Sequence, residues 1–283
     1  MTSLARADWL PLLDAHVERA TSLTSAHLAR RSIGATHAVE DFLFDYYGTR
    51  AAILARWHPG AGVWLEPGPV PHKDWRWYVE DEEGRVALDL AAYRHDRGAA
   101  VAFIRRLLTA TSSRPAFTGC FGLHEWAMVY KAPEHRHALP LRLGGRGTDE
   151  VVEAHPVVCS HFDAFRFFTP EAVDRNRLQP RRDTQIDVEQ PGCLHVAMDC
   201  HKWASKLGPL VPGDLALDCF ALARDCRTLD MQASPYDLSL YDLEPVKIET
   251  AEGKVEYVAR QRDLAGRAAV LRAALVAVTG PIC

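Results

Sequence analysis

Three stretches of the chain are rich in apolar residues, and the first two are apolar around almost their whole circumference when they are placed on an α-helix. They cover residues 119–131, 157–168 and 193–207. A helix that is apolar on every side must be surrounded by other elements, so the rest of the chain has to bury these stretches. The sequence therefore predicts a mainly α-helical bundle with these three helices at its centre.

The remaining sequence predicts further helices and two small β-hairpin insertions. Apolar periodicity and helix-stop residues indicate helices over residues 5–31, 38–57, 98–108, 214–229 and 260–278. Alternating patterns around turn residues predict one hairpin near residues 63–90 and a second over 246–259. Because no long stretch rich in Gly, Ser and Pro divides the chain, we expect a single helical domain spanning residues 1–283.

Composition excludes several classes of protein. Hydrophobic residues make up 48% of the 283, which is enough for a full core and argues against disorder. The formal charge of -4 gives no general attraction to DNA, so a nucleic-acid partner is not expected. Seven cysteines without CxxC spacing, no secretory leader and no apolar run of about 18 residues predict a cytoplasmic protein without membrane contact. The oligomeric state stays open.

Histidine and glutamate interrupt two of the central stretches. His124 and Glu125 stand in an otherwise apolar run, and His161 shares a helical face with valine and phenylalanine. A buried ionised glutamate needs a counter-charge or a metal. Two interpretations follow: these groups bind a metal ion, or Glu125 pairs with an arginine or His124 while His161 bonds a backbone carbonyl.

Two other predicted helices carry the same residue types. Glu40 lies on the apolar face of its helix, whereas Asp41 is expected to face solvent; a hydrogen bond from Glu40 to a tyrosine is the alternative to a metal. His195 and Asp199 are four residues apart and so share a helical face, which suits shared coordination or an ordinary pair beside solvent. His201 falls on another side of that helix.

Imidazole and carboxylate groups from separate helices, without paired thiolates, match iron or manganese better than structural zinc. We therefore predict a metal centre of one or two ions, preferably iron, inside the bundle. The candidate ligands are Glu40, His124, Glu125, His161, His195, Asp199 and His201.

Nearly the whole chain resembles an actinobacterial family commonly labelled 3-methyladenine DNA glycosylase. The resemblance lies in residues 37–44 (HAVEDFLF), 57–60 (WHPG), 121–130 (FGLHEWAMVY), 159–166 (CSHFDAFR) and 189–195 (EQPGCLH). It implies excision of alkylated bases from DNA, with Glu125 or Asp163 activating water and no metal. The chain lacks the helix-hairpin-helix glycine hairpin and the closing catalytic aspartate of the helical glycosylases.

A second, motif-level resemblance is to the haem-oxygenase-like di-iron oxidases, seven-helix proteins that activate O₂ and oxidise small molecules. It implies that Glu40, Glu125 and the pair His195 and Asp199 contribute metal ligands from three helices. Lys202 stands where that family has its last histidine, and Met128 where a histidine would follow Glu125. The resemblance then requires the other ligands to come from His161, His124 or His201.

These observations lead to two hypotheses of enzymatic function. In the preferred one, a non-haem iron oxidase or oxygenase uses O₂ to oxidise a small molecule, such as an amino-acid-like compound or a secondary metabolite. Arg166 would anchor a substrate carboxylate, unless it pairs with Asp163 one turn earlier. The second hypothesis is the DNA glycosylase, and a binding module with structural histidines is the non-enzymatic alternative. The predicted substrate pocket is lined by Tyr47, Trp126, Phe165, Arg166 and Phe168.

Overall fold

The structure is a computed structural model that describes residues 2–135 and 137–283. It is mainly helical, as predicted. The helices are α1 (Arg6–Ser32), α2 (Phe42–Asp45), α3 (Ala51–Leu54), α4 (Leu90–Ser112), α5 (Leu123–Ala127), α6 (Gly144–Ala154), α7 (Phe162–Phe165), α8 (Pro170–Val173), α9 (Gln185–Val188), α10 (Leu194–Leu207), α11 (Gly213–Gln232) and α12 (Ala251–Val278). Short 3₁₀ turns occupy Pro71–Asp74, Gly208–Leu210 and Ser239–Tyr241.

Helices α10, α11 and α12 pack against one another and form the centre of the fold. Helix α4 packs on α12, and α1 packs on α11. Most of α10 is buried, from Leu194 to Leu207, as expected for a helix at the centre of the bundle. The polar side chains of His195, Asp199 and His201 on α10 therefore meet other protein groups rather than bulk water.

A small mixed sheet lies beside the helices. Its strands are β1 (Thr2–Leu4), β2 (Val63–Leu65), β3 (Tyr78–Glu80) and β4 (Val86–Leu88), in the order β1-β2-β4-β3. The predicted hairpin near residues 63–90 is confirmed by the antiparallel pair of β3 and β4. Strand β1 was not predicted; it pairs in parallel with β2.

The hairpin predicted over residues 246–259 is wrong, because α12 begins at Ala251. The Thr250 side chain caps this helix by accepting a hydrogen bond of 3.0 Å from the amide of Gly253. Gly253 resembles a turn residue in the sequence, but it serves close packing: a Cβ there would lie 2.0 Å from the carbonyl oxygen of Lys247.

Three predicted helices are shorter than expected. Residues 38–57 form α2 and α3, separated by Gly48 in the left-handed region (φ 64°). Residues 119–131 and 157–168 contain only the one-turn helices α5 and α7. Both segments are deeply buried, so side chains on every side are apolar without requiring a long helix. None of the helices in the described part of the chain has the length and apolar character needed to cross a membrane.

Candidate metal centre

A buried group of four metal-ligating side chains lies between α5, α10 and α11. The imidazole Nε2 of His124 is 2.8 Å from Oδ1 of Asp230, and Nε2 of His195 is 3.9 Å from Oδ2 of the same carboxylate. One ligating atom from each of the four residues lies within 4.8 Å of the others. We call this group the inner cluster, and it consists of His124, Glu125, His195 and Asp230.

A second buried group lies next to it. His161 Nε2 is 3.1 Å from Asp199 Oδ2 and 3.6 Å from Glu189 Oε1. All three side chains are almost completely inaccessible to solvent. We call His161, Glu189 and Asp199 the outer cluster.

The imidazole of His195 connects the two clusters. Its ring centroid is 4.5 Å from that of His124, in an edge-to-face arrangement, and 5.3 Å from that of His161, on which it stacks. Three imidazoles and four carboxylates therefore share one dry region of the fold.

Each cluster contains one basic side chain. Arg227 Nη1 donates to Asp230 Oδ2 at 2.9 Å and to Glu125 Oε1 at 3.3 Å in the inner cluster. The ammonium of Lys202 donates to Asp199 in the outer cluster. If the three imidazoles are neutral and the four carboxylates are ionised, the two clusters together with Arg227 and Lys202 carry two negative charges. One divalent ion would neutralise them.

Local backbone geometry places the inner cluster. Gly122 precedes α5 in the left-handed region (φ 71°), and a Cβ there would lie 3.2 Å from Cβ of Ala233. The next helical turn carries His124 and Glu125, and its Trp126 Nε1 donates to the Ala233 carbonyl at 2.8 Å. This tight approach fixes α5 against the end of α11, which carries Asp230.

The outer cluster depends on a side-chain clasp and on helix spacing. Asn176 accepts a hydrogen bond from the amide of Cys159 and donates to the Cys159 carbonyl, which holds the extended segment leading to His161. On α10, His195 and Asp199 are one turn apart, as predicted, but His195 belongs to the inner cluster and Asp199 to the outer one.

The protonation of the imidazoles differs within the inner cluster. Burial, reinforced by the neighbouring His124 and His161 imidazoles, lowers the pKa of His195 to about 3 despite the opposing effect of Asp230. A neutral imidazole is the form that ligates metals. For His124 burial acts in the same direction, but the charge and hydrogen bond of Asp230 outweigh it and raise the pKa.

The buried carboxylates also differ. Burial opposes ionisation of Asp199 and Asp230, but neighbouring basic groups outweigh it. Lys202 and His161 hold the pKa of Asp199 well below its usual range. His195, His124 and Arg227 do the same for the pKa of Asp230. Burial raises the pKa of Glu189.

The donor separations are compatible with a bound cation. Around an ion with bonds of about 2.1 Å, adjacent octahedral donors lie about 3 Å apart and opposite ones about 4.2 Å apart. The measured contacts of 2.8, 3.1, 3.6 and 3.9 Å fall in or near that range. In addition, Nδ1 of His161 and Nδ1 of His195 are buried without a hydrogen-bond partner among the described residues. These clusters can hold a metal ion.

Two of the predicted ligands lie outside both clusters. The side chain of Glu40 is 39% exposed and pairs with Arg30 at 2.7 Å. Its neighbour Asp41, expected to face solvent, is instead buried against Arg30 and His27. His201 is buried, but its Nε2 lies 2.8 Å from the hydroxyl of Thr49.

The predicted substrate residues separate into two groups. Tyr47 and Arg166 line a cavity of about 610 Å³, where Arg166 Nε is also 3.5 Å from Asp163, the predicted alternative partner. Trp126 is completely buried in the core. Phe165 and Phe168 contact each other with tilted rings whose centroids are 5.1 Å apart; Phe168 belongs to the same core and Phe165 packs against it.

The 610 Å³ cavity borders the outer cluster. Three of its lining residues bond the cluster directly: Tyr47 and Lys202 donate to Asp199, and Gln185 donates to Glu189 at 2.6 Å. A small molecule in this cavity would lie one side chain away from the outer cluster.

Sequence reasoning missed Glu189, Asp230 and Arg227. Glu189 follows α9 next to Gln190 and Pro191, in a segment without periodicity. Arg227 lies on the helix predicted over residues 214–229, and Asp230 directly follows its predicted end. Their i,i+3 spacing is a detectable signal of an ion pair, and on α11 both side chains are buried.

Comparison with protein-family models, with curated proteins and with solved structures gave no match.

Proposed function

We propose that this protein is a non-haem iron enzyme that uses O₂ to oxidise a small molecule. The observation that carries the proposal is the inner cluster, in which two imidazoles, His124 and His195, surround the carboxylate of Asp230 inside the core. Two histidines and one carboxylate form the ligand set of many Fe(II) oxygenases, and the set leaves coordination positions open.

The chemistry of the donors supports iron over the commoner structural metal. Among the described residues, the two clusters contain imidazole and carboxylate groups and no thiolate. Structural zinc sites mostly use cysteine, whereas mixed nitrogen and oxygen donors suit redox-active iron or manganese. The cysteines near the site are buried thiols, and burial raises the pKa of Cys159 to about 12.

The chain's own residues would orient the ligands and exclude water. Tyr47 donates to Asp199 Oδ1 at 2.8 Å, Gln185 holds Glu189, and Arg227 holds Asp230. Such partners fix carboxylate orientation and tune the affinity for a metal. The bound ion would supply O₂ activation, and the cavity beside the outer cluster would hold the substrate.

Metal analysis of two matched variants tests the metal centre. His195→Gln removes an inner-cluster imidazole, while His201→Gln removes an equally buried imidazole of the same helix that lies outside both clusters. We expect iron in the wild type and in His201→Gln after expression with iron, and little in His195→Gln. Equal iron in both variants, with native circular dichroism, would exclude this site.

Oxygen reactivity tests the oxidase. The reduced, iron-loaded protein should consume O₂ and change its absorption in a stopped-flow experiment, and His195→Gln should not. If the wild type contains no metal and releases 3-methyladenine from alkylated DNA, the glycosylase hypothesis replaces this proposal. The complete burial of Trp126 disfavours that hypothesis, because a base cannot stack on this ring.

A further inference from the structure

Basic side chains dominate the lining of the 610 Å³ cavity beside the outer cluster. Five cationic residues and a single carboxylate, Asp163, contribute to its wall, although the whole chain carries a net charge of -4. A local excess of positive charge in an acidic protein attracts anions to this site. The five cationic residues are Arg97, Arg166, Arg182, Lys202 and Lys206.

Two of these cations have no carboxylate partner. Lys202, Arg166 and Arg182 all contact Asp163. Arg97 donates to the backbone carbonyl of Lys206 at 3.0 Å, which places its guanidinium beside that lysine. In the described part of the chain, neither Arg97 nor Lys206 forms an ion pair, so both charges are available to a ligand.

The unpaired cations lie at a defined distance from the outer cluster. Asp199 and Lys206 are seven residues apart on α10, which corresponds to about 10 Å along the helix axis at 1.5 Å per residue. The lining of the same cavity also includes Phe103, Ile104 and Trp203, of which Trp203 lies between Asp199 and Lys206 on α10. Phe103 is 39% exposed, so part of this apolar wall is open to a ligand.

We propose that the cavity binds an organic anion whose carboxylate or phosphate contacts Arg97 and Lys206 and whose apolar body lies along Phe103 and Trp203. The opposite end of the molecule then lies near Lys202 and the outer cluster. This inference names the substrate class of the proposed oxidase and rests on that function.

Calorimetric titration with a matched series of ligands tests the charge requirement. The probes are 4-phenylbutyrate, 4-phenylbutyl phosphate, 4-phenylbutanol and 4-phenylbutylamine, each titrated into the protein as purified and after iron loading. We expect one anion to bind per chain, the alcohol to bind at least tenfold more weakly, and the amine not to bind. The affinities of 4-phenylbutyrate and 4-phenylbutyl phosphate, compared with each other, show whether the site prefers a carboxylate or a phosphate. Equal affinity for the alcohol and both anions would overturn the inference.

Variants locate the anion. Arg97→Gln and Lys206→Gln should each weaken binding of the preferred anion about tenfold and leave binding of the alcohol unchanged. Arg94→Gln, an exposed arginine one turn earlier on α4 and outside the cavity lining, should bind like the wild type. The assignment would be contradicted if Arg94→Gln lost anion binding, or if Arg97→Gln and Lys206→Gln bound the anion as tightly as the wild type.

The titrations separate this inference from the oxidase proposal. Anion binding that depends on Arg97 and Lys206, in a protein that takes up no iron during iron loading, would support the cavity assignment and contradict the oxidase. Iron binding without anion binding would support the metal centre of the proposed oxidase and contradict the cavity assignment. Tighter binding of a single-stranded oligonucleotide than of either small anion would reject the small-molecule substrate.

Discussion

Each acidic side chain of the outer cluster is oriented by a neutral donor as well as by charge. Asp199 accepts from the Tyr47 hydroxyl through Oδ1, while its Oδ2 faces Lys202 and His161. Glu189 accepts from Gln185 through Oε1. Neutral donors constrain direction without adding positive charge, so they can fix a carboxylate without competing electrostatically with a bound cation.

Removal of the Tyr47 hydroxyl should therefore weaken metal binding more than it weakens the fold. We expect Tyr47→Phe to reduce metal affinity about 10- to 100-fold, the usual effect of losing such a partner, and to cost about 1 kcal/mol of stability. Tyr93→Phe removes a comparable buried hydrogen bond, to the Leu207 carbonyl, and should leave metal affinity unchanged. Metal titration and urea unfolding of both variants measure these effects; equal metal affinities would contradict the positioning role.

Asp41 should make stability depend on pH. Burial favours its neutral form, but hydrogen bonds from Arg30, His27 and the His37 amide outweigh it and lower the pKa. The stabilisation is thus fully present above the ordinary aspartate pKa of about 3.9 and is lost as pH falls through the lower folded value.

We expect Asp41→Asn to lower the free energy of unfolding by about 3 kcal/mol near pH 6. Urea unfolding should show the gap to the wild type shrinking as pH falls below about 4, because the unfolded wild-type chain then takes up a proton at this carboxyl, whereas the folded protein does so only at its lower pKa. Asp45→Asn, a control substitution at a nearby exposed position, should change stability by less than about 0.5 kcal/mol. A gap that stays constant with pH would show that the Asp41 charge does not stabilise the fold.

At the level of single residues, the sequence identified buried polar positions better than their partners. His124, Glu125 and His161 were recognised because an ionisable group in an apolar run is costly and needs a partner. The partners Asp230 and Glu189 are 106 residues from His124 and 28 residues from His161, respectively, and no local pattern encodes such contacts. Glu40 was chosen over Asp41 on helical phase, but a long helix does not form there.

Among the elements, long helices were predictable and short buried segments were not. Helices α1, α10, α11 and α12 follow from periodicity, capping and stop residues, although the start of α12 was displaced by a glycine read as a turn. Segments such as that before α7 are held by tertiary contacts, here the Asn176 bonds to Cys159, which override local preference.

Two glycines of α12 test whether tertiary contacts fix the start of this helix. Gly253→Ala should destabilise the protein by more than about 2 kcal/mol, because the new methyl group collides with the Lys247 backbone. Gly266→Ala, in the same helix but with open space around the added Cβ, should stabilise by about 0.5 to 1 kcal/mol. Urea unfolding measures both, and a neutral Gly253→Ala would show that the helix start can move away.

On the scale of the whole molecule, the two clusters join parts of the chain that are far apart in sequence. Their ligands come from α5, from the segments before α7 and after α9, and from α10 and α11, while the sheet of β1 to β4 contributes none of the described ligands. A ligand that binds only the folded state stabilises the elements that hold it, by about 2.7 kcal/mol at a concentration 100 times its dissociation constant.

Hydrogen exchange should therefore show a specific pattern when metal is added. We expect Mn²⁺, added to protein treated with a chelator, to slow amide exchange in α5, α10 and α11 and to leave the strands β2 to β4 unchanged, because the sheet lies outside the clusters. In His195→Gln the slowing should be absent, and in His201→Gln it should persist. Uniform slowing over the whole chain, or none in the wild type, would mean that the cation does not join these elements and that the buried charges are balanced by Arg227, Lys202 and bound protons.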